Sequence, residues 1–309
     1  MSAVIDVATR PGRSAVQRLA AASLVANMLI VVTGGAVRLT GSGLGCPTWP
    51  ECTGATTEQP GSFVPHGELG AHGVIEFANR LLTFVLVAVA VATLVAVWRA
   101  RPARRSLRRL ALLLALGIPA QAVIGGITVL TDLNPWLVAL HFMVSMVLIS
   151  LAVALVRRVE EGDDTGRATV SGSVTWLLRG TYALVWLVLY VGTIVTGSGP
   201  HAGDADVPRN GLDPAAVSQL HAGLVLLLIG LTVGCAVALR TTGAPRRSVV
   251  AVQWLLGVEV AQGMVGFIQY AADLPVVLVG LHLLGASLVA ATATWTLLSI
   301  RDRARIDTA

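Results

Sequence analysis

Eight mainly apolar runs alternate with polar connections along the chain: Leu19–Val37, Val74–Trp98, Leu110–Leu130, Trp136–Val156, Val174–Thr196, Val217–Leu239, Ser248–Tyr270 and Val276–Ile300. A helix needs about 20 such residues to cross a bilayer. The pattern therefore predicts eight membrane-spanning helices and an all-α, polytopic membrane fold. The first run is followed by Arg38 and a Gly-rich segment rather than by a cleavage site and a mature domain, so it reads as a retained helix.

Composition agrees. Of the 309 residues 55% are apolar and 13% charged, too much apolar surface for a soluble fold of this size and the opposite of a disordered chain. The net charge of +5 does not mark a nucleic-acid face, because the basic residues, all arginine, sit in short clusters at the ends of the apolar runs and form no continuous stripe. Those ends give a topology. Arg10, Arg13 and Arg18, the Arg99–Arg109 cluster, Arg157 to Arg179, Arg240 to Arg247 and Arg301 to Arg305 fall on one side, leaving only Arg38, Arg80 and Arg209 on the other. The positive-inside rule then places both termini in the cytoplasm and the protein in the cell membrane.

Cys46 and Cys52 share the long outer connection, with five residues between them. On that oxidising side a disulfide is favoured over a metal pair, for which no third ligand is near in sequence. Cys235 reads as a small apolar residue.

The chain repeats itself. Gln121-Ala-Val-Ile-Gly-Gly matches Gln262-Gly-Met-Val-Gly-Phe, Asp132-Leu-Asn-Pro135 matches Asp273-Leu-Pro275, and Thr40-Gly-Ser-Gly43 matches Thr196-Gly-Ser-Gly199. His141 pairs with His282, and Asn79 aligns with His221. These matches divide the chain into two four-helix halves, residues 1–160 and 161–309. An even helix count makes them parallel repeats about an axis along the membrane normal.

Ionisable groups inside a bilayer are functional candidates by default. His141, His221 and His282 all fall in the first turns of helices that begin at the outer face, so they share one depth. A single histidine there reads as well as an interfacial contact, but recurrence at matched positions favours chemistry. A metal site wants three or four ligands, whereas His221 and His282 come singly from two helices. Two facing imidazoles suit a haem iron better, with proton relay as the third option. In the first half, Glu76, Asn79 and Arg80 lie within one turn of each other. Glu76–Arg80 pairing alone would explain two of them. Glu259 is the other acid within a span, open between a helix contact and a proton path.

Taken together, the chain resembles the haem A synthase family. The resemblance rests on Gly34-Gly-Ala-Val-Arg-Leu-Thr-Gly-Ser-Gly43, the cysteine pair with Trp49-Pro50 between, Glu76 to Arg80, Gln121-x-x-x-Gly-Gly, and the histidines opening three helices. It implies oxidation of the C8 methyl of haem O to a formyl group, giving haem A for cytochrome oxidase assembly. It implies His221 and His282 as ligands of a haem b cofactor in residues 161–309. Residues 1–160 would take haem O, with Glu76 as the catalytic carboxylate, His141 on the iron, a Cys46–Cys52 disulfide beside it, and Arg38 and Arg80 as partners for propionates. Lipid is expected as surroundings; haem O synthase, an electron acceptor and a second copy of the chain are partners consistent with the family, nucleic acid is not.

One position departs from the family pattern, which commonly has histidine at Asn79. His72 is about 10 Å away along the helix and cannot take over, so the substrate iron is expected on His141 alone or with a weak sixth ligand. The main rival is a membrane b-type cytochrome that only passes electrons. It would explain His221 and His282 equally well but not Glu76. A transporter fits the parallel repeats, but only Pro119 interrupts a span.

Overall fold

The computed structural model describes residues 13–55, 60–65, 70–101, 103–163, 165–204 and 206–303. Arg10 and Arg305, two of the orientation arginines, lie outside them. Eight helices carry the chain back and forth: α1 (Arg13–Leu39), α2 (Gly70–Ala100), α3 (Arg105–Leu130), α4 (Pro135–Arg158), α5 (Gly172–Ser198), α6 (Pro214–Thr241), α7 (Arg246–Ala271) and α8 (Val276–Ser299). Each is long and apolar enough to cross a membrane. The helices overrun the apolar runs, α2 most clearly at 31 residues, about 46 Å against a hydrocarbon core of about 30 Å. Backbone hydrogen bonding does not stop where hydrophobicity does, so the extra turns extend beyond the apolar core.

Helices α1, α4, α5 and α8 pack on one another at the centre, and α2, α3, α6 and α7 flank them. Two apolar clusters fill the arginine-rich end, one around Leu107, Leu114 and Leu155, the other around Leu178, Leu239 and Val252. A third, built on Val31, Met146, Ile149, Val185 and Val289, joins the halves, and there Thr294 on α8 donates to Ser150 on α4 at 3.0 Å. Large side chains such as Trp176, Trp254 and Val277, each at least 60% exposed, lie outside the cavity lining, as lipid-facing positions should. A two-residue strand pair, β1 (Arg167–Ala168) with β2 (Arg301–Asp302), ties the α4–α5 connection to the chain after α8. Nothing in the hydrophobic pattern announced it.

The far end is shaped by local signals. Asn134 and Asp213 cap α4 and α6, accepting from the Trp136 and Ala215 amides at 3.0 and 2.9 Å. Each cap precedes a proline in the first turn, where a missing N–H costs nothing; Pro275 stands at the cap of α8. These starts set His141, His221 and His282 six or seven residues into their helices, about 10 Å deep. The turns before α4 and α8 share one backbone. Asp132 and Leu133 have φ of 51° and 53°, Asp273 and Leu274 59° and 58°. In both, the leucine amide reaches back five residues, Leu133 to Thr128 at 2.8 Å and Leu274 to Gln269 at 2.7 Å. Left-handed conformations at non-glycine residues cost about 1–2 kcal/mol each, offset here by those bonds.

Candidate functional site

A continuous cavity of about 1780 Å³ opens in the far half of the bundle, above the roughly 300–1,000 Å³ usual for one small-molecule pocket. Asn79, His141, His221 and His282 all line it, as do Glu76, Arg38 and Arg80. His72 does not: it is exposed and its Nδ1 lies 2.9 Å from Ser42 Oγ at the far surface.

Each ring is seated on a glycine of a neighbouring helix. A Cβ at Gly125, Gly192 or Gly266 would come within 3.2, 3.1 or 3.0 Å of Cε1 of His141, His221 or His282. The Nδ1 atoms of all three are buried and unbonded; the Val188 carbonyl approaches the His221 ring without hydrogen-bond geometry. Among the described residues no group of three or more His, Cys, Asp or Glu could hold a bare metal ion. Two imidazoles from facing helices, glycine seats and a large apolar void fit a flat macrocycle held at its iron.

The helix that carries each histidine of the α4 and α8 pair is clamped from the side. Gln121 Nε2 donates to the His141 carbonyl at 3.0 Å and to Ser145 Oγ at 2.5 Å. Gln262 Nε2 donates to the His282 carbonyl at 2.6 Å, its amide lying over Gly285 where a side chain would collide with it. Sequence reasoning used these glutamines as repeat markers, and Gln121 also as part of the family resemblance, with no contact assigned to either. Their identical spacing of 20 residues to the histidine was the signal for the clamp.

Glu76 is 5% exposed and fully engaged. Its Oε2 accepts from the Cys46 amide at 2.7 Å, and its Oε1 pairs with Arg80 Nη2 at 2.5 Å. Arg80 then donates to the Thr48 and Cys46 carbonyls, both at 3.1 Å, and at 3.4 Å to those of Pro50 and Glu51. Cys46 and Cys52 are joined, with Cα atoms 4.4 Å apart, which removes the metal-pair alternative. Gly45 lets this loop lie on α2, since a side chain there would strike the His72 and Gly73 backbone. Trp49 from the same loop packs on Gly126 of α3. Arg80 thus organises the disulfide loop and Glu76, and its guanidinium is occupied rather than turned to an incoming carboxylate. Arg38 donates through Nη2 to the Thr196 carbonyl at the end of α5 at 2.8 Å, while its Nε is buried and unbonded, so it stands at the boundary of the two halves.

Glu259 sits outside the cavity, 2% exposed, its Oε1 accepting from Thr232 on α6 at 3.0 Å. The helix-contact reading accounts for that oxygen; Oε2 is buried and unbonded.

These features define a polytopic helical membrane protein with a large cavity lined by three histidines. The COX15-CtaA family, cytochrome oxidase assembly proteins, matches residues 17–208, and the chain belongs to that family. Similar proteins include the "Heme A synthase" of Lysinibacillus sphaericus, 31% identical over 180 residues, which are 57% of this chain and 56% of that one. Those of Bacillus cereus and Bacillus anthracis are 27% identical over 200 residues, 63% of this chain and 62% of theirs. The aligned part of the chain thus spans less than two thirds of the length of these relatives.

Proposed function

We propose that this protein is a haem A synthase, with haem O as substrate and haem b as resident cofactor. Residues 161–309 hold the cofactor between His221 and His282. Residues 1–160 take haem O at His141, and both termini face the cytoplasm. The observation that carries this is the asymmetry of one cavity: two histidines at matched positions in one half, and one histidine with a buried, oriented carboxylate in the other. A plain electron-transfer protein has no use for Glu76 there.

Haem b, when bound, supplies a one-electron redox centre. The chain's own residues do the rest. The Gln121 and Gln262 amides fix the carbonyls beside the two α4 and α8 histidines, so each imidazole enters the cavity at a set height. Arg80 and the Cys46 amide hold the Glu76 carboxylate still, which a group that stabilises developing positive charge or accepts a proton at the oxidised methyl requires. Trp49 and Pro50 of the disulfide loop wall that side of the cavity. Arg38, which lines the cavity, is the candidate partner for a propionate.

The test is pigment extraction from a host that makes haem O but no haem A, expressing the wild type and Glu76→Ala. Haem A with the wild type and only haem b and haem O with the variant supports the reading. Haem b alone in both, with co-produced haem O unconverted, would move the assignment to a membrane b-type cytochrome.

A further inference from the structure

Some side chains that line the cavity are also among the most exposed in the protein. On α2, Phe84 is 71% exposed and Leu81 47%; on α6, Leu226 is 71% exposed. A side chain set in a closed wall has protein behind it. One that lines a cavity and still keeps most of its surface free stands at a rim, where the cavity meets its surroundings. The rim recurs in the repeat. Phe84 and Leu226 each come five residues after the aligned pair Asn79 and His221. On the next helix, Pro119 and Val260 each come two residues before a clamping glutamine, and both are exposed and line the same cavity. Each half-site therefore has a lateral mouth, between α2 and α3 in the first half and between α6 and α7 in the second.

Phe84 lies near the middle of α2, so the first mouth faces lipid rather than water. Elsewhere that half-site is walled. Leu86, Ile118 and Leu148, members of the apolar cluster around Leu107 and Leu114, floor it toward the arginine-rich end. Trp49 and Pro50 of the disulfide loop wall it toward the other.

Haem O differs from haem b in carrying a long isoprenoid chain. Such a chain loses stabilisation with every methylene moved from lipid to water, whereas lipid and apolar side chains are equivalent surroundings for it. We propose that haem O passes between bilayer and cavity sideways, through the α2–α3 mouth, and that its isoprenoid chain lies in that mouth against Phe84 while the ring is bound. This rests on the reading of residues 1–160 as the haem O site and deepens it. The mouth lets the chain remain in apolar surroundings, while Arg38, at the boundary of the two halves, meets the charged edge of the ring from within.

The test uses the full-length protein in lipid nanodiscs, carrying its haem b and loaded with haem O without oxygen. Phe84→p-benzoylphenylalanine places at the rim a group that joins to nearby C–H bonds on illumination, and mass spectrometry reads what it captures. Haem O should be captured at position 84. Val91→p-benzoylphenylalanine, lipid-exposed on the same helix but outside the cavity lining, should capture lipid alone. Ala122→Trp fills the mouth from α3, where Ala122 is half-buried and lines the cavity; it should lose haem O uptake and keep its haem b, which shows that the fold persists. Haem O that binds while position 84 captures only lipid would overturn the proposal and leave the substrate-site reading intact. So would an Ala122→Trp protein that takes up haem O as the wild type does. A wild type that retains haem b and takes up no haem O would overturn both.

Discussion

The two halves of this protein share a scaffold and differ in what they put on it. Both enter α4 or α8 through the same left-handed Asp-Leu turn, both clamp the histidine helix with a glutamine 20 residues upstream, and both seat the ring on a glycine. The second half adds His221. The first half adds Asn79, and wires Glu76 and Arg80 into a disulfide loop that has no counterpart across the bundle. On the proposed reading, symmetry marks what a haem-sized ligand needs from the fold, and the departures mark where the reaction differs from mere retention. A fixed pair of ligands suits a cofactor that stays; one ligand and an oriented carboxylate suit a substrate that must react and leave.

The largest expected effect breaks the comparison outright. His221→Ala or His282→Ala should remove the bound haem b, whereas His141→Ala should leave it in place and lower only haem O uptake; haem per polypeptide after extraction separates the two. Next, Glu76→Gln should reduce haem A formation by about 100-fold or more with haem b content unchanged, followed by chromatography of extracted haems. Arg80→Met leaves Glu76 buried without its cation, which costs about 3–5 kcal/mol. Breaking an exposed pair of the second half, Arg247–Asp302 with side-chain exposures of 36% and 62%, by Asp302→Asn should change stability by no more than about 1 kcal/mol; denaturant unfolding in detergent compares them.

Smaller effects sharpen the picture. Gln121→Ala loses two hydrogen bonds and Gln262→Ala one, at about 1 kcal/mol each, so the first should unfold more readily. At the arginine-rich end of the first half, Asp163 accepts from Arg104 Nε at 2.9 Å and from Ser106 Oγ. Burial raises its carboxyl pKa, but those bonds outweigh it and bring the group from 3.8 to about 2. A depressed carboxylate stabilises above its ordinary pKa, so this contribution is present above about pH 4 and lost as pH falls through about 2. With the side chain 31% exposed it is worth less than about 1 kcal/mol. Asp163→Asn should flatten acid unfolding between those limits by that amount.

Much was legible in the chain itself, for physical reasons. A bilayer demands about 20 apolar residues per crossing, so eight spans could be read without packing. Arginine placement gave an expected orientation, and internal matches paired His141 with His282 and Asn79 with His221. Caps and helix-starting prolines are local, so the common depth of the histidines was local too. Tertiary structure alone decided the rest. That Arg80 turns to Glu76 and four loop carbonyls, that Arg38 reaches Thr196 across the boundary, and that Gln121 and Gln262 grip the histidine helices depends on which helix faces lie together. So does the merging of both half-sites into one cavity. Hydrophobicity in a membrane helix points every way at once, toward lipid and toward protein alike. Sequence could therefore count the helices, but only their packing could say which polar side chains meet.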